Sequence, residues 1–492
     1  VASSSLGAKG RANLHRDSHM SLRNDAPRRI LDGFGRAVSG SCRYEKPASL
    51  DALVSLVQKA KEEDLTVTFR GCGRSYGDAA LNTRGIVIDL SDLNRVLAWD
   101  PNTGRIEAEA GLTIESLWQR TIADGYWPAV VPGTMHATLG GCIAMNVHGK
   151  NNPKAGPFGD YVRSLTLLLA DGSLVECSRT EHPELFCAVI GGLGLLGAVV
   201  RVSLDLHRVE SGQLRVRAVT SRDLAESLAH FEGLLGTSDY VVGWIDAFAQ
   251  GNSLGRGELH AASHLSLVED PHGAATLSVA AQSLPATLFG LPREQLWKVM
   301  RPFCNPFGMS VINAIKYQLA KLNEPLTYLQ SHAAFAFLLD YIPDWRLAYG
   351  DGGFIQHQLF VPKQNARHCL EAVLRTCQER GEVPNLAVLK RHRPDDYLLS
   401  HGLDGWSLAL DFRVTDRNRR AVWSLSEQLT ELVLDAQGKF YFAKDAVLRP
   451  RDVLRAYGKE RVETFLELKR RYDPTGLFGS DLSVRVFSEP TT

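Results

Sequence analysis

Apolar positions along the chain follow two spacings, and their switches outline the elements. Leu50, Leu53, Val54 and Val57 fall on one face of a helix over Pro47–Asp64, with Ser49 placed to cap it. The run LTVTFR (65–70) then reads as a strand, as does GIVIDL (85–90), and GCGRSYGD (71–78) lies between them. A helix over Ile114–Asp124 leads into VVPGTMHATLGGCIAMNVHGKN (130–151). Further on, Pro183 opens a helix that carries Leu185, Phe186 and Val189 on one side. In AVVRVSLDLH, Val200, Val202, Leu204 and Leu206 alternate with polar residues, a period-2 strand. Alternation over 354–361 puts Gln356 and Gln358 on the same strand face.

This order of elements decides how GGLGLLG (191–197) is read. Gly192, Gly194 and Gly197 fit G-x-G-x-x-G, but a Rossmann fingerprint needs a strand before the glycines and a helix after them. Here a helix precedes and a strand follows, so a tight turn packed on a neighbour is the better reading. A nicotinamide-dependent reductase built on this loop stays only as an alternative. The other two glycine loops carry more. Residues 71–78 hold three glycines with Arg74, Ser75 and Asp78, and their backbone N–H groups could cradle a pyrophosphate or simply close a hairpin. Residues 130–151 set Gly133, Gly140, Gly141 and Gly149 among small polar side chains, which suits main chain lying against a flat ligand.

Bulk properties narrow the class. At 492 residues there is room for two domains, and 44% hydrophobic with 22% charged residues is ordinary for a globular protein. Lys plus Arg (55) balances Asp plus Glu (55), so no overall field recruits nucleic acid. Eight scattered cysteines without C-x-x-C suit reduced thiols in a cytoplasmic protein. The longest apolar stretch, Cys187–Val200, is too short to span a bilayer. Residues 1–28 read as a disordered polar leader, foreign in part to the fold. HAASH (260–264) has two histidines at i, i+4 but Ala261 where a zincin needs Glu, so no metal site is expected. The apolar stretch 284–309 reads as a buried helix and loop, with a flap touching a membrane or lipid tail as the alternative.

The pair RGCGRSYGD and PGTMHATLGGCIAMNVHGKN resembles the FAD-binding signature of the vanillyl-alcohol-oxidase/p-cresol-methylhydroxylase superfamily, most closely its decaprenylphosphoryl-β-D-ribose 2-oxidase branch. The likeness extends through LDGFGR (31–36), FGDYVRSLTLLLADG (158–172), GGFIQHQLFVP (352–362), YFAKD (441–445) and RYDPTGLFGSDLS (471–483), and weakens over 210–335. It implies an α+β, two-domain flavoenzyme. A discontinuous FAD-binding domain (29–207, completed by 439–492) would enclose an antiparallel-sheet substrate domain (208–438).

The resemblance also implies roles. Gly71, Cys72, Gly73, Arg74, Ser75, Tyr76, Gly77, Asp78, Gly133, Thr138, Leu139, Gly140, Gly141, His148, Gly149, Lys150, Asn151, Ala198 and Tyr441 would line FAD. Arg74 stands where many members carry the histidine that bonds to the flavin, so FAD is expected to be non-covalent. Lys444 matches the family's essential lysine, with Tyr76 and His148 as further catalytic candidates. It would act as a base or, as a cation, orient the substrate or offset charge on the flavin. Lys150, Gln356, Gln358, Lys390 and Lys444 would meet the substrate. Taken singly, Tyr76 reads better as a core aromatic and His148 as a satisfied buried histidine, and Lys390 leads KRHRPDD, which reads alternatively as a solvated loop. Ala409, in GWSLALDF, replaces a cysteine of the branch, and Arg391, His392 and Arg393 are bulkier than its pattern.

The implied reaction is oxidation of a secondary sugar hydroxyl to a ketone by hydride transfer to flavin N5. The expected substrate is C2 of a polyprenyl-phosphoryl ribofuranose, as half of an epimerisation finished by a separate NAD(P)-dependent reductase. An aldonolactone or alditol oxidase using oxygen is the alternative. A sugar or lipid-linked sugar is therefore the expected partner, with peripheral contact at the inner face of a membrane.

Overall fold

The computed structural model describes residues 21–288 and 290–488. Two small sheets are built from the first 205 residues. In the first, β1 (Arg28–Asp32), β2 (Ser39–Glu45), β3 (Val67–Arg70) and β4 (Ile86–Asp89) run in the order β1-β2-β4-β3, with β4 parallel to both neighbours. The second joins β5 (Val96–Asp100), β6 (Arg105–Glu109), β7 (Val162–Leu168), β8 (Leu174–Ser178) and β9 (Ala198–Asp205) in the order β5-β6-β9-β7-β8. The helix Leu50–Glu62 forms where its apolar stripe predicts, and Ser49 Oγ accepts from Ala52 N–H at 3.2 Å. Its Leu53, Val57 and Ala60 bury against Val67, Ile86 and Ile88.

The third sheet is larger and antiparallel throughout. It comprises β10 (Gln213–Ser221), β11 (Tyr240–Ile245), β12 (Gly257–His264), β13 (Leu326–Ser331), β14 (Phe354–Pro362), β15 (Leu386–His392), β16 (Gly405–Arg413) and β17 (Lys439–Phe440), ordered β13-β10-β12-β11-β15-β16-β14-β17. Directly opposed residues share a face, so register sorts the side chains. Trp406 and Arg391 face one way, toward Phe231 and Glu232 of the helix Leu224–Leu235. Gln358, Ala409, Val388 and Trp244 form a row on the opposite face.

After β17 the chain returns to the first sheet. Leu477 and Phe478 join the Leu53–Val67 core, and Val67 N–H donates to Leu477 O at 2.7 Å. The mixed architecture is α+β, as the resemblance implies.

Some expectations are corrected. Within the leader assigned to 1–28, Leu22 is fully buried, and Glu63 accepts from the N–H groups of Leu22 and Arg23 at 2.9 and 2.6 Å. The leader's first twenty residues lie outside the described residues. GGLGLLG does join the helix Pro183–Val189 to β9, and a Cβ at Gly192 would lie 2.2 Å from Ala188 O, so packing demands that glycine. HAASH lies on strand β12. The stretch 284–309 is only partly buried: Leu296 and Cys304 are inside, but Val299, Phe303 and Phe307 are exposed. Among the described residues no helix is long and apolar enough to cross a membrane.

Candidate active site

The two glycine loops lie against each other. Thr138 caps the helix Leu139–Ala144 by accepting from Gly141 N–H at 3.2 Å, and a Cβ on Gly71 would strike the same Thr138 oxygen at 2.2 Å. Beside that contact the main chain has unspent donors. Among the described residues, none of the N–H groups of Gly71, Cys72, Gly73, Arg74 and Ser75 donates to a protein acceptor. Five consecutive free donors form a cradle for a polyanion such as a pyrophosphate. Arg74 Nε, His148 Nδ1 and Asn151 Oδ1 are also buried without partners among the described residues. Buried polar atoms are ordinarily satisfied, so these groups suit a polar cofactor. FAD fits this lining.

The YFAKD segment meets the first loop from the other side. Tyr76 N–H donates to Ala443 O at 2.7 Å, and Lys444 N–H closes a turn on Tyr441 O at 2.9 Å. Lys444 Nζ thereby lies 3.2 Å from the centroid of the Tyr76 ring, whose edge packs on Phe34 and Phe354. Burial lowers Lys444 to about 7; Asp411 opposes that shift and Lys390 adds to it. Burial raises Asp411 to about 6, against a 2.5 Å hydrogen bond from Gln356 and the charge of Lys444. Asp411 was missed in the sequence. The signal was present: a lone carboxylate in an apolar strand, on the face shared by Ser407 and Ala409.

His148 reaches the sheet face through Gln358, whose amide donates to His148 Nε2 at 3.0 Å. An amide donor makes that nitrogen the acceptor, so the neutral ring carries its proton on the unpartnered Nδ1. Burial, with Lys390 and His392 nearby, holds His148 well below its ordinary range. His392 stands edge-on at 4.8 Å, shares a 2.7 Å hydrogen bond with Ser407 Oγ, and was also missed. Lys390 and His392 face the site while Arg391 points away to Glu232, so KRH is a strand with sorted faces and not a solvated loop. Burial lowers Lys390 to about 8.

Other expected residues have different tasks. Lys150 Nζ bonds the Phe335 carbonyl and sits over that ring, and burial depresses it strongly. Asp78 is taken up by Arg485, with contacts of 2.9 and 2.8 Å, so its carboxylate serves a clamp and is not open to a cofactor. Ala198 packs its methyl into the Leu53–Val67 core. Gln356 is engaged by Asp411. Gly140 donates to Ala110 O, Gly133 faces Leu339, and Asn151 holds Ala129 O. Tyr441 and His401 pack at steep angles beside His148, and Leu139 lies buried in the helix that Thr138 caps. Cys72 is exposed, and Gly77 and Gly149 are packed against Asp445 O and Asn151.

A model of the FAD binding domain matches residues 43–178, which span both glycine loops. Decaprenylphosphoryl-beta-D-ribose oxidase of Mycolicibacterium smegmatis is 30% identical over 465 residues, covering 93% of this chain and 97% of the relative. The chain belongs to the decaprenylphosphoryl-ribose oxidase family. It is an FAD-dependent oxidoreductase. Beyond this family, bovine L-gulonolactone oxidase (Bos taurus) is 30% identical over 162 residues, 33% of this chain and 36% of its own. D-arabinono-1,4-lactone oxidase of Yarrowia lipolytica is 25% identical over 239 residues, 47% and 44% of the two chains.

Proposed function

We propose that this family member oxidises C2 of a polyprenyl-phosphoryl-β-D-ribofuranose to a ketone, with a separate NAD(P)-dependent reductase completing an epimerisation at the inner face of a membrane. The likeness to the mycobacterial oxidase along nearly its whole length favours this substrate over a lactone, since the lactone oxidases align over less than half of the chain. The carrying observation is Lys444: an amine brought near neutrality by burial, on a turn beside Tyr76 and within the influence of Asp411 and Lys390.

The loop cradle would hold FAD, which would supply the hydride acceptor. Lys444 as the neutral amine takes the hydroxyl proton, and Asp411 offsets the charge that results. His148 Nδ1–H is free to donate to a sugar oxygen. Tyr76 closes the wall behind Lys444 and excludes water. Lys390 is the cation within reach of a phosphodiester. FAD is held non-covalently, since Arg74 offers no nucleophilic ring nitrogen.

Anaerobic bleaching of the flavin against a panel of alcohols tests the reading. Farnesylphosphoryl ribose should bleach it, whereas L-gulono-1,4-lactone should not. Bleaching by the lactone alone, with peroxide formed in air, would replace this reading with the oxygen-dependent one.

A further inference from the structure

The sheet face that carries Lys390 and Gln358 does not end at the active site. Register extends the row from Gln358 through Ala409, Val388 and Trp244 to Glu258 and Thr220. The last two residues form the floor of a second cavity, of about 420 Å³, roofed by the helix Pro306–Leu322. From Val388, two residues before Lys390 on β15, to Glu258 on β12 is two strand spacings, about 10 Å. Cavity and active site thus lie side by side on one face.

The helix and edge strand make this cavity apolar. Ile312, Ile315 and Leu319 form one stripe of the helix, Leu326 faces them from β13, and Ala218 lies between. Ile315 and Leu319 are each 54% exposed, unusual for two aliphatic side chains that share a concave surface. On the side toward the active site the cavity ends at Lys316, whose Nζ lies 4.0 Å from the centroid of the Trp244 ring, so the apolar groove gives way there to charge with Trp244 behind it.

We propose that this groove holds the hydrocarbon chain of the lipid-linked substrate, with Trp244 dividing the chain's site from the sugar's. The inference rests on the sugar-phosphate-lipid reading above. It is supported by the continuity of the groove with the active-site face and by the absence of charge from its helical wall except at Lys316.

Geranylgeranyl phosphate serves as the probe, with its dissociation constant measured calorimetrically on the FAD-loaded protein. Ile315→Glu and Leu319→Glu should each weaken it about tenfold or more, the expected loss for replacing one buried aliphatic contact with a charge. Leu329→Glu is the control. Leu329 is equally exposed and close in sequence but pairs with Arg215, on the other face of the sheet, so it should bind as wild type. Because all three side chains are exposed, folding is not at stake, and retained FAD absorbance verifies it.

Equal affinity in all three variants would overturn the proposal. So would loss of binding to phosphatidylglycerol vesicles with probe affinity unchanged, which would make the stripe a membrane contact. If the groove variants lose the probe but no ribose derivative bleaches the flavin, the sugar reading fails and the groove stands. If the ribose derivative reacts and the probe is unaffected, the reverse holds.

Discussion

Lys444 Nζ rests 3.2 Å from the centre of the Tyr76 ring, although 368 positions separate the two residues in the chain. Burial disfavours the ammonium and, with Lys390 adding to it and Asp411 opposing it, brings Lys444 to about 7.

The rate of flavin reduction should therefore follow the neutral amine. It should rise about tenfold per pH unit below pH 7 and level off above, since a base is active only after losing its proton. Lys444→Arg keeps a cation that does not deprotonate, so the reaction should stay slow, by at least about a hundredfold, at every pH. Stopped-flow bleaching across pH 5.5–9 checks both. A Lys444→Arg variant with wild-type rates would assign the lysine to charge alone.

Asp411 supports the ammonium and so raises Lys444 against the effect of burial. Asp411→Asn removes that support, and the midpoint of the pH profile should move to lower pH. The amide still accepts from Gln356, so the fold is kept. An upward shift would mean that the carboxylate acts on another group.

These residues were unequally visible in the sequence. Lys444 and Tyr76 stand in short motifs whose composition is unusual enough to be matched. Asp411 and His392 stand in ordinary strands, where their importance depends on which strand lies alongside. Pairing of Asp411 with Gln356, and of Ser407 with Lys390, is set by long-range register that no local period reveals. Helix positions followed from apolar spacing, as at Leu50–Glu62, because burial there is local to one face. The pairing of Asp78 was hidden for a similar reason: it lies in a glycine loop, but its partner Arg485 comes from the far end of the chain. The stretch 284–309 misled because its apolar residues read as core, yet Val299, Phe303 and Phe307 face outward.

FAD should leave the protein on unfolding. Arg74 sits with its guanidinium 5.3 Å from the Phe34 ring centroid and has no chemistry for a bond to the flavin. Acid precipitation should leave a colourless pellet and all flavin absorbance in the supernatant. Yellow protein on a denaturing gel would contradict this.

The last prediction concerns the clamp behind the first loop. Arg485 spans Asp78 and Asp445, reaching the latter at 2.9 Å, and also donates to Leu448 O at 2.6 Å. Both carboxylates are almost fully buried, so Arg485→Met would strand two negative charges. The cost is about 3–5 kcal/mol, typical of a buried pair broken from one side. The damage should extend to the cofactor, because a Cβ at Gly77 would lie 2.0 Å from Asp445 O and the loop therefore rests directly on that backbone. The variant should lose thermal stability and bind FAD more weakly, and excess FAD should restore part of the midpoint by mass action. Titration of apoprotein with FAD, followed by flavin fluorescence, measures the second effect separately. If the midpoint falls with FAD affinity unchanged, the clamp supports the fold alone and the first loop holds its shape without it.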